Sequence, residues 1–296
     1  MLDSGAPPTR PSIQRSDRHQ TLAAASLHAF AALVALATCG CLRPIVPSVD
    51  ASRPSFVSVS VPSSGGGDAH DLLVGVTEVT RGQWRDVMGT EPYGSDCDDC
   101  PVRMVSWYDA AAFANALSQR EGLSACYQLS DCSEAPPYQR SAPGRAYSHE
   151  TGLYCATVES VGPSCSGYRL PNRAEWDAYG GVSALHQSRR RAHRYANAAG
   201  PTPRRVTVVA TRLPNEHGIY DTLGNVEEWL DVEVPPFDEV HRFRRHLTQQ
   251  RWFLAAGTCF RSDLRDLRPN YFVRDAGSWG RDCHGFRVVR TAPPAS

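Results

Sequence analysis

The sequence contains no lysine: all 31 of its basic residues are arginine. Without a lysine amine the chain cannot form a Schiff base with a carbonyl substrate or with pyridoxal phosphate, and it lacks the lysine of a P-loop. The 31 acidic residues balance the arginines to a formal net charge of +0. A neutral chain lacks the broad positive field that binding along a nucleic-acid backbone requires, so nucleic acid is not an expected partner.

Two hydrolase signatures are absent as well. No Gly-x-Ser-x-Gly stretch is present, so a serine hydrolase is not indicated. The 10 histidines include no His-x-x-x-His pair, so a helical zinc-protease site is not indicated either. The basic run "HQSRRRAHR" at 186–194 is interpreted as a solvated insertion, with contact to an anionic surface as the alternative.

Residues 1–41 are predicted to be an export signal, of the ordinary or the lipoprotein type. Arginines precede an alanine- and leucine-rich run at 21–38, and Cys39 and Cys41 follow it. This order favours a cleaved or lipid-anchored signal over a membrane-spanning helix. Cys39 or Cys41 is the candidate for lipidation. The protein is therefore expected in the periplasm or cell envelope of a bacterium, or secreted, with membrane contact only through such an anchor.

Residues 42–70 are rich in Pro, Ser and Gly and are predicted to be a tether, which leaves 71–292 as the folded domain. The stretch "SFVSVSV" at 55–61 alternates like a first strand. The tether could therefore end as early as Ser55.

The eight remaining cysteines are expected to form disulfides, as is usual for an exported chain. Proximity along the sequence suggests the pairs Cys97–Cys100, Cys126–Cys132, Cys155–Cys165 and Cys259–Cys283. Eight cysteines allow roughly a hundred connectivities, so sequence order selects only one of many. The stretch "CDDC" could alternatively supply two of the four ligands of a zinc site. No second pair of cysteines with a matching loop follows it in the sequence.

Three stretches predict helix starts, because each places a capping residue three positions before a side chain that can bond back to it. The pairs are Thr80 with Gln83, Ser106 with Asp109, and Asn172 with Glu175. Gly180 or Gly181 is expected to end the third helix. The segments "DLLVGV", "VTVVA" and "HGFRVVR" are predicted to be short strands between long loops. The chain is therefore predicted to be a loop-rich, disulfide-stapled α+β domain.

Five stretches carry a family resemblance: "EVTRGQW", "CPVRMVSWYDAAAFANALS", "GYRLPNRAEWDAYGG", "HGIYDTLGNVEEW" and "HGFRVVR". In this order, over roughly residues 72–291, they resemble the motifs of the formylglycine-generating enzyme, or sulfatase-modifying factor, family. The resemblance implies a fold related to the C-type-lectin-like topology. It also implies copper(I)-dependent, oxygen-using conversion of a substrate cysteine in a sulfatase to formylglycine. Trp107, Trp176 and Trp229 fall within these stretches and are predicted to be core residues.

Members of the family that oxidise cysteine carry the strand pattern Gly-Gly-Ser-aromatic-x-Cys-x-x-x-x-Cys, because a soft cuprous ion is bound by two thiolates. On that pattern residues 256–258 take the first three places and Cys259 takes the aromatic one. Arg261 and Asp266 then occupy the two cysteine positions. Neither side chain binds copper(I), so copper is not expected. Cys259 and Cys283 remain as an alternative dithiol, although a structural disulfide is favoured.

Calcium is the cofactor that the resemblance leaves open. Its implied ligands are the backbone carbonyls of Leu223, Gly224 and Val226 and the carboxylate of Glu228. The alternative is that Glu228 only accepts hydrogen bonds from loop amides. A second, weaker site would begin at Asn197 and Ala198, but the acidic half that should follow it is missing from the sequence.

Two functions follow from these observations. The first is a non-catalytic, exported binding module whose ligand is a protein, a peptide or a glycan. The alternative is an enzyme of altered mechanism in the same family, an oxygen-dependent oxidase. Mononuclear iron oxygenases need two histidines and a carboxylate that converge. A converging polar set around residues 257–266 would favour the enzyme, whereas arginine and aspartate paired with each other would favour binding.

Overall fold

The computed structural model describes residues 53–62, 69–91, 96–134, 149–181, 193–198, 205–235, 250–263 and 271–293. The predicted export signal at 1–41, with Cys39 and Cys41, lies outside these ranges, as does Asp266. Within them, no helix is both long enough and apolar enough to cross a membrane.

The described residues form short strands and three short α-helices. The strands are β1 (Phe56–Val61), β2 (His70–Gly75), β3 (Tyr127–Glu134), β4 (His149–Thr151), β5 (Leu153–Ser160), β6 (Glu227–Val234), β7 (Trp252–Ala256), β8 (Phe272–Ala276), β9 (Trp279–Arg281), β10 (His284–Gly285) and β11 (Val289–Thr291). The helices are α1 (Arg81–Met88), α2 (Trp107–Arg120) and α3 (Arg173–Tyr179). This content confirms the predicted loop-rich α+β class.

All three helices begin where the capping pattern predicted. At α1 the Thr80 side chain accepts from the Gln83 amide at 3.2 Å, and the Gln83 side chain accepts from the Thr80 amide at 3.1 Å. The same reciprocal pair forms at the starts of α2 and α3. Each box satisfies two amides that the first helical turn leaves unpaired. Gly180 ends α3, as expected.

Two sheets organise the domain. One has the order β1-β2-β11, and the other has the order β10-β6-β7-β8 with β10 parallel to β6. Strand β1 pairs along its whole length with β2, from Phe56 opposite Gly75 to Val61 opposite His70. It lies inside the segment 42–70 that was predicted to be a tether. Strand β1 therefore belongs to the folded domain, as the alternative boundary at Ser55 allows.

The segment "VTVVA" at 206–210 is not a strand, contrary to prediction. Its backbone amides bond to a side chain and to a loop carbonyl: the Thr207 amide donates to Asn225 Oδ1 at 3.1 Å and the Val209 amide to the Asp99 carbonyl at 3.0 Å. Ala210, at its end, has a left-handed φ of 57°. Hydrogen-bond partners on separate loops therefore determine the conformation of this segment, although its β-branched residues favour a strand.

The predicted tryptophans are core residues, as expected: Trp107, Trp176 and Trp229 are all buried. The Trp107 ring stacks on Phe253 of β7 with its centroid 4.0 Å away. Its indole donates to the Leu230 carbonyl of β6 at 2.9 Å. These contacts fix the start of α2 against the four-stranded sheet.

Four disulfides join the eight described cysteines in pairs. Cys97–Cys100 and Cys259–Cys283 are the pairs expected from sequence order. The other two predicted pairs are wrong, because the structure forms Cys126–Cys165 and Cys132–Cys155 instead. The reason is the hairpin of β3 and β5, in which Cys132 lies directly opposite Cys155. Residues six apart along an extended chain are about 20 Å apart, which is too far for a disulfide.

Candidate functional site

A cavity of about 350 Å³ opens where the four-stranded sheet ends. Its lining includes Glu227 from the start of β6, Cys259 and residues 261–263 after β7, Tyr271 and Val273 at the start of β8, and residues 281–283 before β10. Arg261, at the first cysteine position of the family pattern, lines this cavity, so the cavity is the candidate site.

The turn after β7 brings residues 259–261 to this cavity. Gly257 has a φ of 80°, and a Cβ atom there would lie 3.0 Å from the Thr222 carbonyl oxygen, so the position favours glycine. The Phe260 amide then donates to the Asn225 carbonyl at 2.9 Å. These constraints hold the turn against the loop that precedes β6.

The first family cysteine position holds a charged pair. Arg261 forms an ion pair with Asp282, a carboxylate that is only 1% exposed. The neighbouring sulfurs of Cys259 and Cys283 are bonded to each other. A guanidinium has no lone pair for a metal, and disulfide sulfurs are not thiolates. The described donors therefore do not fit copper(I), and Asp266, at the second family position, lies outside the described residues.

A polar cluster that the sequence did not reveal lies beside this pair. His284 is fully buried, with Nε2 3.5 Å from Glu227 Oε2 and 3.6 Å from Asp275 Oδ2. Arg281 also bonds Asp275, with Nη2 3.0 Å from Oδ1. Burial raises the pKa of Asp275, while Arg281 and His284 oppose the rise. The cluster joins residues of β6, β8 and β10 with the end of β9, and no local motif links them.

This cluster does not match the iron site that the enzyme hypothesis requires. It contributes one histidine, where the mononuclear oxygenases use two histidines and one carboxylate. A Glu227 carboxylate oxygen and the sulfurs of Cys259 and Cys283 lie within 4.8 Å of one another. Those sulfurs could bind a metal only after reduction of the disulfide, because the thiolate is the ligand.

The carboxylate of Glu228, the predicted calcium ligand, accepts hydrogen bonds from a buried arginine. Arg287 donates to both of its oxygens, from Nε at 3.0 Å and from Nη2 at 2.7 Å. Both residues are buried. In the structure this carboxylate therefore accepts from a guanidinium, and calcium at Leu223, Gly224, Val226 and Glu228 stays a prediction. At the second candidate, the Asn197 carbonyl accepts from the Asn225 amide at 2.8 Å, and Ala198 follows it in the chain.

Two further carboxylates, those of Glu78 and Asp221, are buried near Arg287. Burial, and next the charge of Asp221, hold the pKa of Glu78 well above its usual range. Burial raises the pKa of Asp221 to about 6. One Asp221 oxygen accepts from the Ala210 amide at 2.7 Å, whereas its Oδ1 has no hydrogen-bond partner. Ionised Asp221 therefore opposes folding near neutral pH.

We expect Asp221→Asn to stabilise the protein at pH 8 by about 2 kcal/mol. Because the folded-state pKa of Asp221 exceeds that of the unfolded chain, its proton stabilises the fold at low pH, and this contribution is lost as the pH rises through 6. Asparagine keeps an acceptor for Ala210 and tolerates the left-handed φ of 57°. Urea unfolding at pH 8 and pH 4.5 measures the difference. An equal effect at both pH values would contradict the prediction.

Comparison with known proteins places this geometry in a family. A model of the sulfatase-modifying factor enzyme 1-like domain matches residues 55–292. The chain belongs to the sulfatase-modifying factor family. The resemblance seen in the five sequence stretches is thereby confirmed, and the match begins at the residue before β1.

Individual proteins of related sequence or structure extend this result. The chain is 29% identical over 249 residues to the chaperone protein LppX of Paenibacillus barcinonensis, which covers 75% of this chain and 80% of LppX. The crystal structure of CarF matches with a TM-score of 0.58 at 24% identity, covering 81% of this chain and 99% of CarF. The Treponema denticola variable protein 1 matches with a TM-score of 0.55 at 20% identity, covering 81% of this chain and 93% of that protein. The two structures confirm the sulfatase-modifying factor fold, and at this identity they show the fold alone.

Within this family the site departs from the cysteine-oxidising pattern at the position of Arg261. The four disulfides are typical of proteins that fold outside the reducing cytoplasm.

Proposed function

We propose that this member of the sulfatase-modifying factor family is an exported, non-catalytic binding module whose ligand occupies the cavity around Arg261. One observation carries the proposal: the first cysteine position of the family holds an arginine paired with buried Asp282, beside two cysteines that are joined to each other. Cysteine oxidation in the family pattern needs two thiolates, and the described part of this cavity supplies none.

A polypeptide is the ligand class that the relatives favour. LppX, which matches three quarters of this chain, is named a chaperone protein. The cavity offers charges of both signs, with Arg261 and Arg281 beside Glu227 and Asp263, and the ring of Tyr271. Such a mixture suits the backbone and side chains of an extended polypeptide better than a single small ion.

The alternative, an enzyme of altered mechanism, is favoured by one observation. His284, Glu227 and Asp275 converge beneath the cavity, as a general acid-base site requires. His284 and Asp275 are fully buried, however, and Arg281 already neutralises Asp275. Binding therefore remains the better-supported function.

We expect the purified protein to form no formylglycine on a sulfatase peptide that carries the substrate cysteine, even when copper(I) and oxygen are supplied. Thiol labelling of the unfolded, unreduced protein should leave Cys259 and Cys283 unmodified, because they are bonded to each other. Mass spectrometry of both peptides measures this, with a cysteine-oxidising family member as positive control. Labelling of Cys259, or detection of an aldehyde product, would contradict the proposal and support a cysteine oxidase.

Polypeptide binding is tested with a permanently unfolded client, such as reduced and carboxymethylated lactalbumin. We expect the client to slow hydrogen exchange at residues 259–263, and Arg261→Gln to weaken binding about tenfold. Because that change leaves buried Asp282 without its partner, the double variant Arg261→Gln/Asp282→Asn serves as a second test. The matched control is Arg85→Gln, since Arg85 is similarly exposed and pairs with Asp98 outside the cavity. Equal binding by all variants would contradict the proposal.

A further inference from the structure

A second cavity, of about 270 Å³, shares no lining residue with the first. It is bounded by residues 193–194, residues 210–213 and Tyr220. The Leu213 amide donates to the Arg194 carbonyl at 2.8 Å, which ties two of these segments together. The Ala210 amide is held by the Asp221 carboxylate at 2.7 Å. Hydrogen bonds from two backbone amides, one to a carbonyl and one to a carboxylate, thus fix the walls of this cavity.

The rim of this cavity carries two arginines and a histidine, and its base carries uncharged side chains. His193, Arg194 and Arg212 are exposed, whereas Ala210 and Tyr220 are buried. Arg194 and Arg212 form no ion pair with a carboxylate in the part of the chain that the structure describes. Within the described residues, the two arginines that line this opening are thus not held in ion pairs.

The stretch of sequence around these residues is also rich in positive charge. Residues 178–215 contain seven of the 31 arginines and two histidines, but none of the 31 acidic residues. The run at 186–194 belongs to this segment and contributes His193 and Arg194 to the cavity. A chain that is neutral overall thus concentrates positive charge in this segment of its sequence, and positive charge attracts anions.

One carboxylate lies nearby, and it does not cancel the positive charge. Asp221 is buried and its Oδ2 is bonded to the Ala210 amide. Burial raises its pKa to about 6, so its charge is incomplete near neutral pH, and Arg212 opposes that rise only weakly. The charge of Asp221 therefore offsets that of the two arginines only in part.

We infer that this cavity binds the phosphate group of an organic ligand. A phosphate monoester carries a charge of about −2 and three acceptor oxygens, which matches two guanidinium groups and one imidazole around one opening. A carboxylate carries one charge and would leave one of the two guanidinium charges uncompensated. Guanidinium groups bind phosphate oxygens through paired hydrogen bonds. Leu213 and Tyr220 provide an apolar wall for the organic part of the ligand.

Titration of the full chain with glycerol phosphate at constant ionic strength tests this inference, with heat of binding as the readout. We expect saturable binding, and we expect Arg194→Gln and Arg212→Gln each to weaken it about tenfold. Arg120→Gln is the matched control, since Arg120 is an exposed arginine of α2 that pairs with Asp86 away from the cavity. Thermal unfolding of each variant shows that the fold is retained.

Vesicles of phosphatidylglycerol, compared with vesicles of phosphatidylcholine, distinguish two sources of the phosphate. Binding to glycerol phosphate alone supports a free organic phosphate. Additional arginine-dependent binding to the anionic vesicles supports a lipid headgroup. No binding to either probe, or equal weakening by Arg120→Gln, would overturn the inference, because the effect would then be absent or a property of net charge alone.

Discussion

Replacement of Arg287 by methionine is expected to lower the free energy of unfolding by about 4 kcal/mol. Arg287 is fully buried and donates to both oxygens of Glu228. It also donates to the Gly75 carbonyl at 2.7 Å and the Tyr220 carbonyl at 2.8 Å. One side chain therefore joins the end of β2, the segment before β6, and β6 itself.

The size of the effect comes from the charges that the substitution leaves behind. Glu78, Asp221 and Glu228 are buried around this guanidinium, and its charge lowers the pKa of each against the effect of burial. Methionine fills a similar volume but supplies neither the charge nor the donors. A loss of about 4 kcal/mol is a large part of the 5–15 kcal/mol by which domains are typically stable, so partial unfolding is expected at 37 °C.

Two variants show whether the uncompensated charge is responsible. In Arg287→Met/Glu228→Met the buried pair is replaced by apolar groups, and we expect recovery of at least about 1 kcal/mol relative to the single variant. Arg120→Met removes an exposed partner of Asp86 and should cost well under about 1 kcal/mol. Urea unfolding measures all three, and a loss below about 1 kcal/mol for Arg287→Met would contradict the argument.

Features set by neighbouring residues could be predicted from the sequence. Each capping box depends on two side chains three positions apart, such as Asn172 and Glu175, and local hydrogen bonds decide it. The alternation at 55–61 likewise identified β1. Where a segment takes its partners from distant loops, as 206–210 does, the local pattern failed. Local chemistry thus predicted starts of elements better than their pairing.

The candidate site was predictable in its position and only partly in its contents. The family pattern placed Arg261 at the cavity, and proximity paired Cys259 with Cys283. The partner of Arg261 and the cluster at His284 depend on which strands meet in the fold. Strand β10 runs parallel beside β6, so residues almost 60 positions apart become neighbours. Sequence spacing alone does not show that Glu227 and His284 become neighbours, because their contact depends on the register between the two strands.

The double variant Cys126→Ser/Cys165→Ser is expected to lose roughly 3 to 4 kcal/mol of stability. This disulfide closes a segment with a sequence separation of 39 and surrounds the inner pair Cys132–Cys155, whose separation is 23. Both Cys126 and Cys165 are buried in the main core. Their removal therefore releases the ends of the β3–β5 hairpin and leaves two small hydroxyls in apolar surroundings.

The same variant separates the two possible pairings of these four cysteines. With Cys132 bonded to Cys155, as the structure has them, the variant gains no free thiol relative to the parent protein. With the pairing by sequence order, Cys126–Cys132 and Cys155–Cys165, both remaining cysteines lose their partners and two new thiols appear. Labelling of the unfolded, unreduced protein and peptide mapping count them. Two new thiols would show that sequence order, and not the register of β3 against β5, determines the connectivity.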